Sequence, residues 1–503
     1  MFFLGLAALL ILVNLLMAND YVTIWEGAEA NMLLEAQGQV SEEVGERGKS
    51  LSLLPDKILK LVYGMVGLNM AKLRYISVII LLLSFLGIYH WGRKIFGEEP
   101  VLISLVVVGG SFLMSSITKL VVADVWLFAM QSLYLIFLIL YIKQPILKWL
   151  LGVVVTFALG LLVNGPVLLI WGLGLSIWFL LLHPNKTNAK SIFFKTVLPL
   201  SLLGIIFYFT QGAWNNDAFI LAYGNISFGK YLLFSLLAVL PWMGFLIAAL
   251  VDIFMKIKKR EELAIISMGW LIFGLAGMSL VLQLLFAYLI AKHVLNFLRH
   301  PYPYDGLVKS VTLFILLLSF IGVTLMLIGG WQQLGAGADG YTSALVVGAL
   351  YWGFGFLGVM GLFLKEKRFI LGGFGMSVLL VTFAFWGKAY PLVEKFRELP
   401  RQLSEEVNSQ NKGATRPLNM VMHTLPKRRS FQVYLNEAFP NRQAINTQKE
   451  LDELINSKRS ALLIYNDSLS LKVDSSYLKT SKKIIGNVDV NQKPQTYWVI
   501  KLK

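Results

Sequence analysis

The chain has no cysteine among its 503 residues, only five histidines, and few charged residues, 15% in all. The missing cysteine excludes disulfides, a thiolate nucleophile and any Cys-based metal site. The five histidines fall at no metal-ligand spacing. No Walker A or Rossmann glycine pattern is present, so ATP-driven transport has no support in the sequence. A soluble globular chain is about 25% charged and about 45–50% apolar, whereas 56% of this one is hydrophobic. That balance excludes an ordinary water-soluble enzyme, a coiled coil, a disordered chain and a secreted disulfide scaffold. It leaves a polytopic membrane protein with a smaller soluble portion. Acidic residues are also scarce, 29 against 45 Lys and Arg, for a formal charge of +16. In a membrane protein this excess belongs first to the cytoplasmic loops, so nucleic acid is not an expected partner.

The apolar runs set the organisation. Phe2 to Ala18 has no charged residue ahead of it and no clear small-residue cleavage pattern after it, so it reads as a retained span and not a signal peptide. Further spans are expected near 75–91, 101–116, 124–142, 149–163, 166–182, 196–212, 231–254, 311–330, 343–364 and 369–387. The uncharged stretch Leu263 to Ala291 is too long for one ordinary span and reads, with its continuation to Leu298, as two crossings. Basic residues test the count. Arg93 and Lys94; Lys143 and Lys148; Lys186, Lys190 and Lys195; and Lys256, Lys258, Lys259 and Arg260 occupy alternate loops. Lys292, Arg299 and Lys309, then Lys365, Lys367 and Arg368, continue the pattern. The intervening short loops are nearly free of Lys and Arg. Under the positive-inside rule this gives about thirteen spans, with the N-terminus cytoplasmic and the C-terminus outside.

Residues 1–390 therefore read as a membrane domain, with 19–73 as its first outer loop. A charged linker is expected over 391–416, followed by a small α/β domain over 417–503. Within it Pro417–Thr424, Ser460–Tyr465, Lys483–Val490 and Thr496–Leu502 read as strands. Thr447 and Glu450 have the spacing of a capping box opening a helix.

Polar chemistry gathers on the expected outer side. The first loop carries Glu26 and Glu29, three apart and so on one face of a helix. Downstream, PDKILKLVYGMVG sets Lys57 and Lys60 against Ile58, Leu61, Val62 and Met65, the pattern of a helix lying in the membrane interface. Lys119 and Asp124 stand at the mouth between the third and fourth spans, where ionisable groups are costly and mark function. Asn164-Gly165-Pro166 makes a tight, uncharged break. Each has a plainer reading. The acidic loop can be a solvated surface, the amphipathic helix an anchor, and Asp124 a helix-terminal charge.

Four stretches resemble the GT-C membrane glycosyltransferases, closest to bacterial relatives of the aminoarabinose transferase and to the protein O-mannosyltransferases. WEGAEANMLLEAQG stands where that family opens a helix with an acidic pair. LRYISVIILLLSFLGIYHWGRKIFG resembles its second span, KLVVADVWLFAMQSLYLIFLILYI its Asp-led fourth span, and GLLVNGPVLLI its Gly-Pro turn. The resemblance runs over the whole chain as pattern. Departures are visible: Asn164 replaces the usual turn lysine, LLPDKIL replaces a proline-rich stretch, and no outer-loop histidine remains for a metal site.

The resemblance implies an all-α membrane fold of GT-C type with a C-terminal α/β domain in the periplasm of a bacterial inner membrane. It implies sugar transfer from a polyprenyl-phosphate donor to a lipid, glycan or protein acceptor. Glu26 would be the general base, Glu29 and Asp124 would position acceptor or donor, and Lys57, Lys60 and Lys119 would receive the phosphate. No nucleotide cofactor is called for, and the need for a divalent metal stays open. Two rival classes stand beside this one: a flippase for a lipid-linked sugar, and a non-catalytic scaffold for envelope assembly.

Overall fold

The computed structural model describes every residue except 1, 21, 23, 25–27, 39–52, 211–226, 300, 335–336, 392–397, 412–418, 424–428, 439–441, 446, 457–460, 467–472, 474–476, 479–480, 487–494 and 503. The chain is a helical bundle followed by a small sheet domain. The helices are α1 (Phe2–Leu16), α2 (Ala28–Ala36), α3 (Leu53–Val66), α4 (Met70–Phe96), α5 (Glu98–Gly110), α6 (Phe112–Ile117), α7 (Asp124–Lys143) and α8 (Leu147–Leu182). There follow α9 (Lys186–Ile192), α10 (Leu198–Thr210), α11 (Phe228–Leu237), α12 (Met243–Ile257), α13 (Glu262–Ala276) and α14 (Val281–Phe297). The bundle ends with α15 (Asp305–Leu334), α16 (Gly337–Leu364) and α17 (Lys367–Ala384).

Among the described residues, six helical segments are long and apolar enough to cross a membrane: 70–96, 124–143, 147–182, 186–210, 345–364 and 367–388. Shorter apolar helices over 5–16, 228–237, 262–276 and 281–297 accompany them. One of the six is two legs. Backbone angles leave the helical region at Asn164 (φ −157°, ψ 90°), and a Cβ on Gly160 or Gly172 would strike Leu168 or Phe157 respectively. Those contacts close only if the chain folds back on itself, so α8 is an antiparallel hairpin with Asn164-Gly165-Pro166 at its tip. The uncharged stretch 263–298 also folds back, with Trp270 Nε1 donating to Val281 O at 3.0 Å across the turn. The segment 231–254, expected as one span, is broken instead between α11 and α12. Pro241 there has no N–H to continue a helical ladder.

Most basic loops meet at one end of the bundle. Lys143 pairs with Glu262 at 3.2 Å, and Asp305 takes Lys309 at 2.7 Å and Lys365 at 3.1 Å. Lys256 reaches Asp252 at 2.7 Å, and Lys367 pairs with Glu99. The alternation read from sequence thus corresponds to a real segregation of charge. Helices α7 and α14 run buried through the middle. On α10 the exposed residues Leu202, Leu203, Ile206 and Phe209 form a stripe at helical spacing, an apolar face suited to lipid.

Helices α16 and α17 cross with almost no side chain between them. A Cβ on Gly373 would lie 2.2 Å from the backbone nitrogen of Gly358, a close approach typical of small residues between membrane helices. Backbone cannot step aside cheaply. Gly373→Ala is expected to cost about 1–3 kcal/mol, as other overpacking changes do, and to show as a lowered melting temperature of the detergent-solubilised protein.

The C-terminal part contains α18 (Leu399–Asn411), β1 (Asn419–His423), α19 (Arg429–Ala438), β2 (Arg442–Ile445), α20 (Gln448–Asn456), β3 (Ala461–Asn466), β4 (Lys482–Gly486) and β5 (Gln495–Leu502). The sheet order is β2-β1-β3-β5-β4. Strand β1 runs parallel to β2 and β3, while β5 runs antiparallel to β3 and β4. The four expected strands are present, and β2 is an addition. The capping box forms reciprocally: Thr447 N–H donates to Glu450 Oε2 at 3.3 Å, and Glu450 N–H to Thr447 Oγ1 at 3.4 Å. The expected linker 391–416 is more than a connection. Its helix α18 buries Leu399, Leu403 and Val407 against Leu462, Ile464 and Tyr497 of the sheet.

Candidate functional site

Far from the basic loops, three stretches of chain converge: the residues after α1, the first turn of α4, and the turn between α6 and α7. Arg74 lies one turn into α4 and is completely buried. An arginine there must find partners, because its charge has left water. It finds four. Nε donates to Glu29 Oε1 at 3.1 Å and Nη2 to Glu29 Oε2 at 3.2 Å, a two-pronged pair. Nη1 donates to Asn19 O at 3.1 Å and to Val22 O at 2.6 Å. Glu29 Oε1 also accepts the Val121 N–H at 2.9 Å. One ion pair therefore clamps α2, α4, the chain after α1 and the approach to α7.

Lys119 sits beside this clamp and is 1% exposed. The turn that carries it is fixed by Thr118 Oγ1 donating to Ser115 O, and by Ser115 Oγ donating to Asn14 O at 3.1 Å. Lys119 Nζ donates to Asn14 O at 2.6 Å and Leu15 O at 2.8 Å. These are among the last carbonyls of α1, which have no partners inside the helix and lie at the negative end of its dipole. The ammonium also lies 5.6 Å from the Trp386 ring centre. Burial, and next the positive charge of Arg74, pull its pKa down to about 7. Two cations thus sit close enough to repel each other out of water.

Asp124 occupies the first turn of α7, buried at 3% exposure. An acid there is favoured by the helix dipole. Glu29, Lys119 and Asp124, expected at the outer side, are therefore brought to one region. Lys57 and Lys60 stand on the exposed face of α3. The opposite side of α3 packs through Leu59 into a cluster with Ala30, Leu33, Met70 and Leu73. Leu61 and Met65 are also exposed, at 64% and 69%; spaced by four residues from Lys57, they share its side of the helix and do not lie opposite the lysines as expected. Glu26, with Glu42, Glu43 and Glu46, lies outside the described residues. Sequence reasoning missed Arg74, although a single arginine just inside an apolar span is itself a signal that a carboxylate awaits it.

The hairpin tip of α8 shows what replaced the expected lysine. Asn164 Oδ1 accepts the Val167 N–H at 3.3 Å and so caps the returning leg. Gly165 N–H donates to the Tyr208 hydroxyl at 3.1 Å, and that hydroxyl donates to Leu161 O. A Cβ on Gly165 would lie 1.9 Å from the Tyr208 ring, so only glycine fits. Among the described residues no three His, Asp or Glu side chains gather as metal ligands.

Residues 52–214 match the family model described as dolichyl-phosphate-mannose-protein mannosyltransferase. Among solved structures, ArnT from Cupriavidus metallidurans bound to undecaprenyl phosphate aligns with a TM-score of 0.60 at 13% identity, over 99% of this chain and 97% of that one. The same protein in the apo state gives 0.58, also at 13% identity over 99% and 97% of the two chains. The apo oligosaccharyltransferase of Archaeoglobus fulgidus gives 0.46 at 11% identity, over 92% of this chain and 69% of that one. No curated protein matches. The GT-C resemblance read from the sequence is thus met by the architecture: this chain has the fold of ArnT over essentially its whole length.

Proposed function

We propose that the chain is a glycosyltransferase that moves a sugar from a polyprenyl-phosphate donor to a lipid, glycan or protein acceptor at the periplasmic face of a bacterial inner membrane. The observation that carries this reading is the pair of buried, mutually repelling cations, Arg74 and Lys119, beside two carboxylates in an ArnT-like bundle. Buried like charges are costly, and an arriving phosphate relieves that cost. The donor class is supported by ArnT, which has been solved with undecaprenyl phosphate bound, and by the match of residues 52–214.

In this reading the acceptor oxygen forms a bond to the sugar's anomeric carbon while the bond from that carbon to the phosphate oxygen breaks. The acceptor proton passes to the Glu26 carboxylate, and the polyprenyl phosphate departs with the electron pair. Attack opposite the leaving group inverts the anomeric centre. Lys57 and Lys60 on the interfacial helix meet the phosphate at headgroup height, and Lys119 stabilises its growing charge. Glu29 and Asp124 position acceptor or donor. The basic end of the bundle faces the cytoplasm, together with the N-terminus, and the C-terminal domain lies in the periplasm. The membrane supplies both donor and solvent for the prenyl chain.

Purified protein supplied with labelled polyprenyl-phosphate sugar and a lipid extract as acceptor tests the reading. Loss of a general base costs about 10²–10⁴-fold in rate, so Glu26→Gln is expected to slow transfer by that factor. Equal rates for the two proteins would remove Glu26 from the mechanism. Movement of the donor across vesicles without turnover would identify a flippase, and neither activity would leave a scaffold.

A further inference from the structure

The ammonium of Lys119 is held by groups that carry no charge. Two are the carbonyls of Asn14 and Leu15, and the third is the Trp386 ring, whose centre lies 5.6 Å from Nζ. Trp386 is itself buried. It stands on the π-helical turn Phe385–Ala389, where α17 ends and the Tyr390 N–H reaches back to Phe385 O. Single π turns within helices are frequent at functional sites. The ring is fixed on several sides. Tyr390 lies 4.7 Å away between centres, and Phe112, the first residue of α6, stacks on it at 6.1 Å and 11°. Phe385 closes the group, 5.2 Å from Trp386 and 4.9 Å from Phe112. Ala18 and Val22 complete the cluster. The two holds on Lys119 are linked through α1: Asn14 Nδ2 donates to Leu379 O of α17 at 3.0 Å, while Asn14 O accepts from Lys119.

Around Lys119 a ring does what a carboxylate cannot. Arg74 on α4 acts on it with a like charge, and Glu29 on α2 is committed to Arg74 through both oxygens. Asp124 opens α7, α1 carries no charged residue, and Asp20 beyond it is exposed. The turn bearing Trp386 adds the exposed Lys388 and, next to it, the Tyr390 phenol. A carboxylate against Lys119 would secure the ammonium by neutralising it, and would repel an incoming phosphate. An indole face attracts the ammonium through its quadrupole and leaves the full positive charge in place. We propose that Trp386 is a positioning residue for phosphate: its ring, fixed by the π turn and by Phe112, holds the Lys119 ammonium in place and in its charged form without neutralising it. The phosphate is that of the polyprenyl donor, so this half rests on the sugar-transfer reading given above. The hold of the ring on Lys119 does not.

Fluorinated tryptophans placed at position 386 alone test the proposal, because each fluorine withdraws electrons from the ring face while the shape barely changes. In full-length, detergent-solubilised protein with isotope-labelled lysine side chains, the Cε NMR signal that Lys119→Met removes reports the titration of Lys119. Its midpoint, about 7 in the parent, is expected to fall stepwise with added fluorine. Loss of the whole interaction would lower it by about 0.4–1.5 pH units. Undecaprenyl phosphate is expected to bind more weakly at pH 9 by the matching factor, up to about 3- to 30-fold, and nearly equally well at pH 5, where Lys119 is already charged. A midpoint that ignores the fluorine count overturns the proposal, since the ring then only fills space. So does a loss of affinity as large at pH 5 as at pH 9. If the midpoint moves while affinity is the same in every protein at both pH values, the ring's hold on Lys119 stands, and it is the donor reading that fails.

Discussion

Arg74→Met is expected to destabilise the protein by about 3–5 kcal/mol, because it leaves the Glu29 carboxylate buried without its counter-charge. Both oxygens of that carboxylate now face Arg74, and both carboxylate and guanidinium are sealed from solvent. Glu29→Met is expected to cost a similar amount, since Arg74 loses the carboxylate that balances its buried charge. The double variant Glu29→Met/Arg74→Met removes both charges and is expected to cost less than the two single changes added together. The coupling measured by such a cycle should reach about 2–3 kcal/mol, the upper part of the range for residues in contact. Recovery stops short of the parent because the Val121 N–H and two carbonyls lose their partners, each worth about 1–3 kcal/mol when buried and unpaired. Arg74→Lys does not rescue: one ammonium cannot serve two carboxylate oxygens and two carbonyls in the planar arrangement found here. Thermal unfolding of the detergent-solubilised proteins measures all four differences. Additive single-variant losses would mean that the pair is no more than two independent surface contacts, contrary to its burial.

That clamp illustrates where sequence reading ends. The bundle was legible because lipid demands long apolar runs and the basic loops sort to one side. The hairpin at Asn164-Gly165-Pro166 announced itself in three residues. The fold-back between α13 and α14 carried no turn motif; the length of the uncharged stretch and the charge alternation together demanded it. Other features follow a different logic. Glu29 was visible as an acid and Arg74 as a base, but their pairing joins residues 45 apart in sequence, and no periodicity reports such a contact. The packing of Val433 and Tyr434 against Ala30, Leu33 and Leu73 joins residues further apart still. Two omissions had local causes. Leu399, Leu403 and Val407 recur at helical spacing, yet the charged residues around them gave that stretch the look of a linker. Strand β2, Arg442–Ile445, has four residues, too few to show alternation.

Donor binding is expected to weaken by about tenfold per pH unit above pH 7, and about a hundredfold between pH 7 and pH 9. The reason lies in Lys119. Its ammonium has a pKa of about 7 in the protein, lowered by burial and then by Arg74. A phosphate bound nearby favours the charged form and raises that pKa, so in alkaline solution binding must take up a proton. Below pH 7 Lys119 is already charged and the affinity levels off. The sugar-bearing donor is a phosphodiester and keeps one charge throughout, while undecaprenyl phosphate, the monoester used as probe, changes charge near pH 6, below the 7–9 window in which the slope is read. Stability moves the opposite way. Between about 7 and the ordinary lysine value of 10.5, the unfolded chain holds a proton that the folded one has released, so folding becomes more favourable as pH rises, by about 1.4 kcal/mol per unit. Lys119→Met is expected to flatten both slopes, while leaving Asn14 O to the Ser115 hydroxyl and Leu15 O to the Asn19 amide. Binding of undecaprenyl phosphate measured across pH 6–9, with melting curves on the same samples, gives both slopes. A parent protein whose affinity stays level across this range would show that Lys119 meets no phosphate, and that its charge serves only the end of α1.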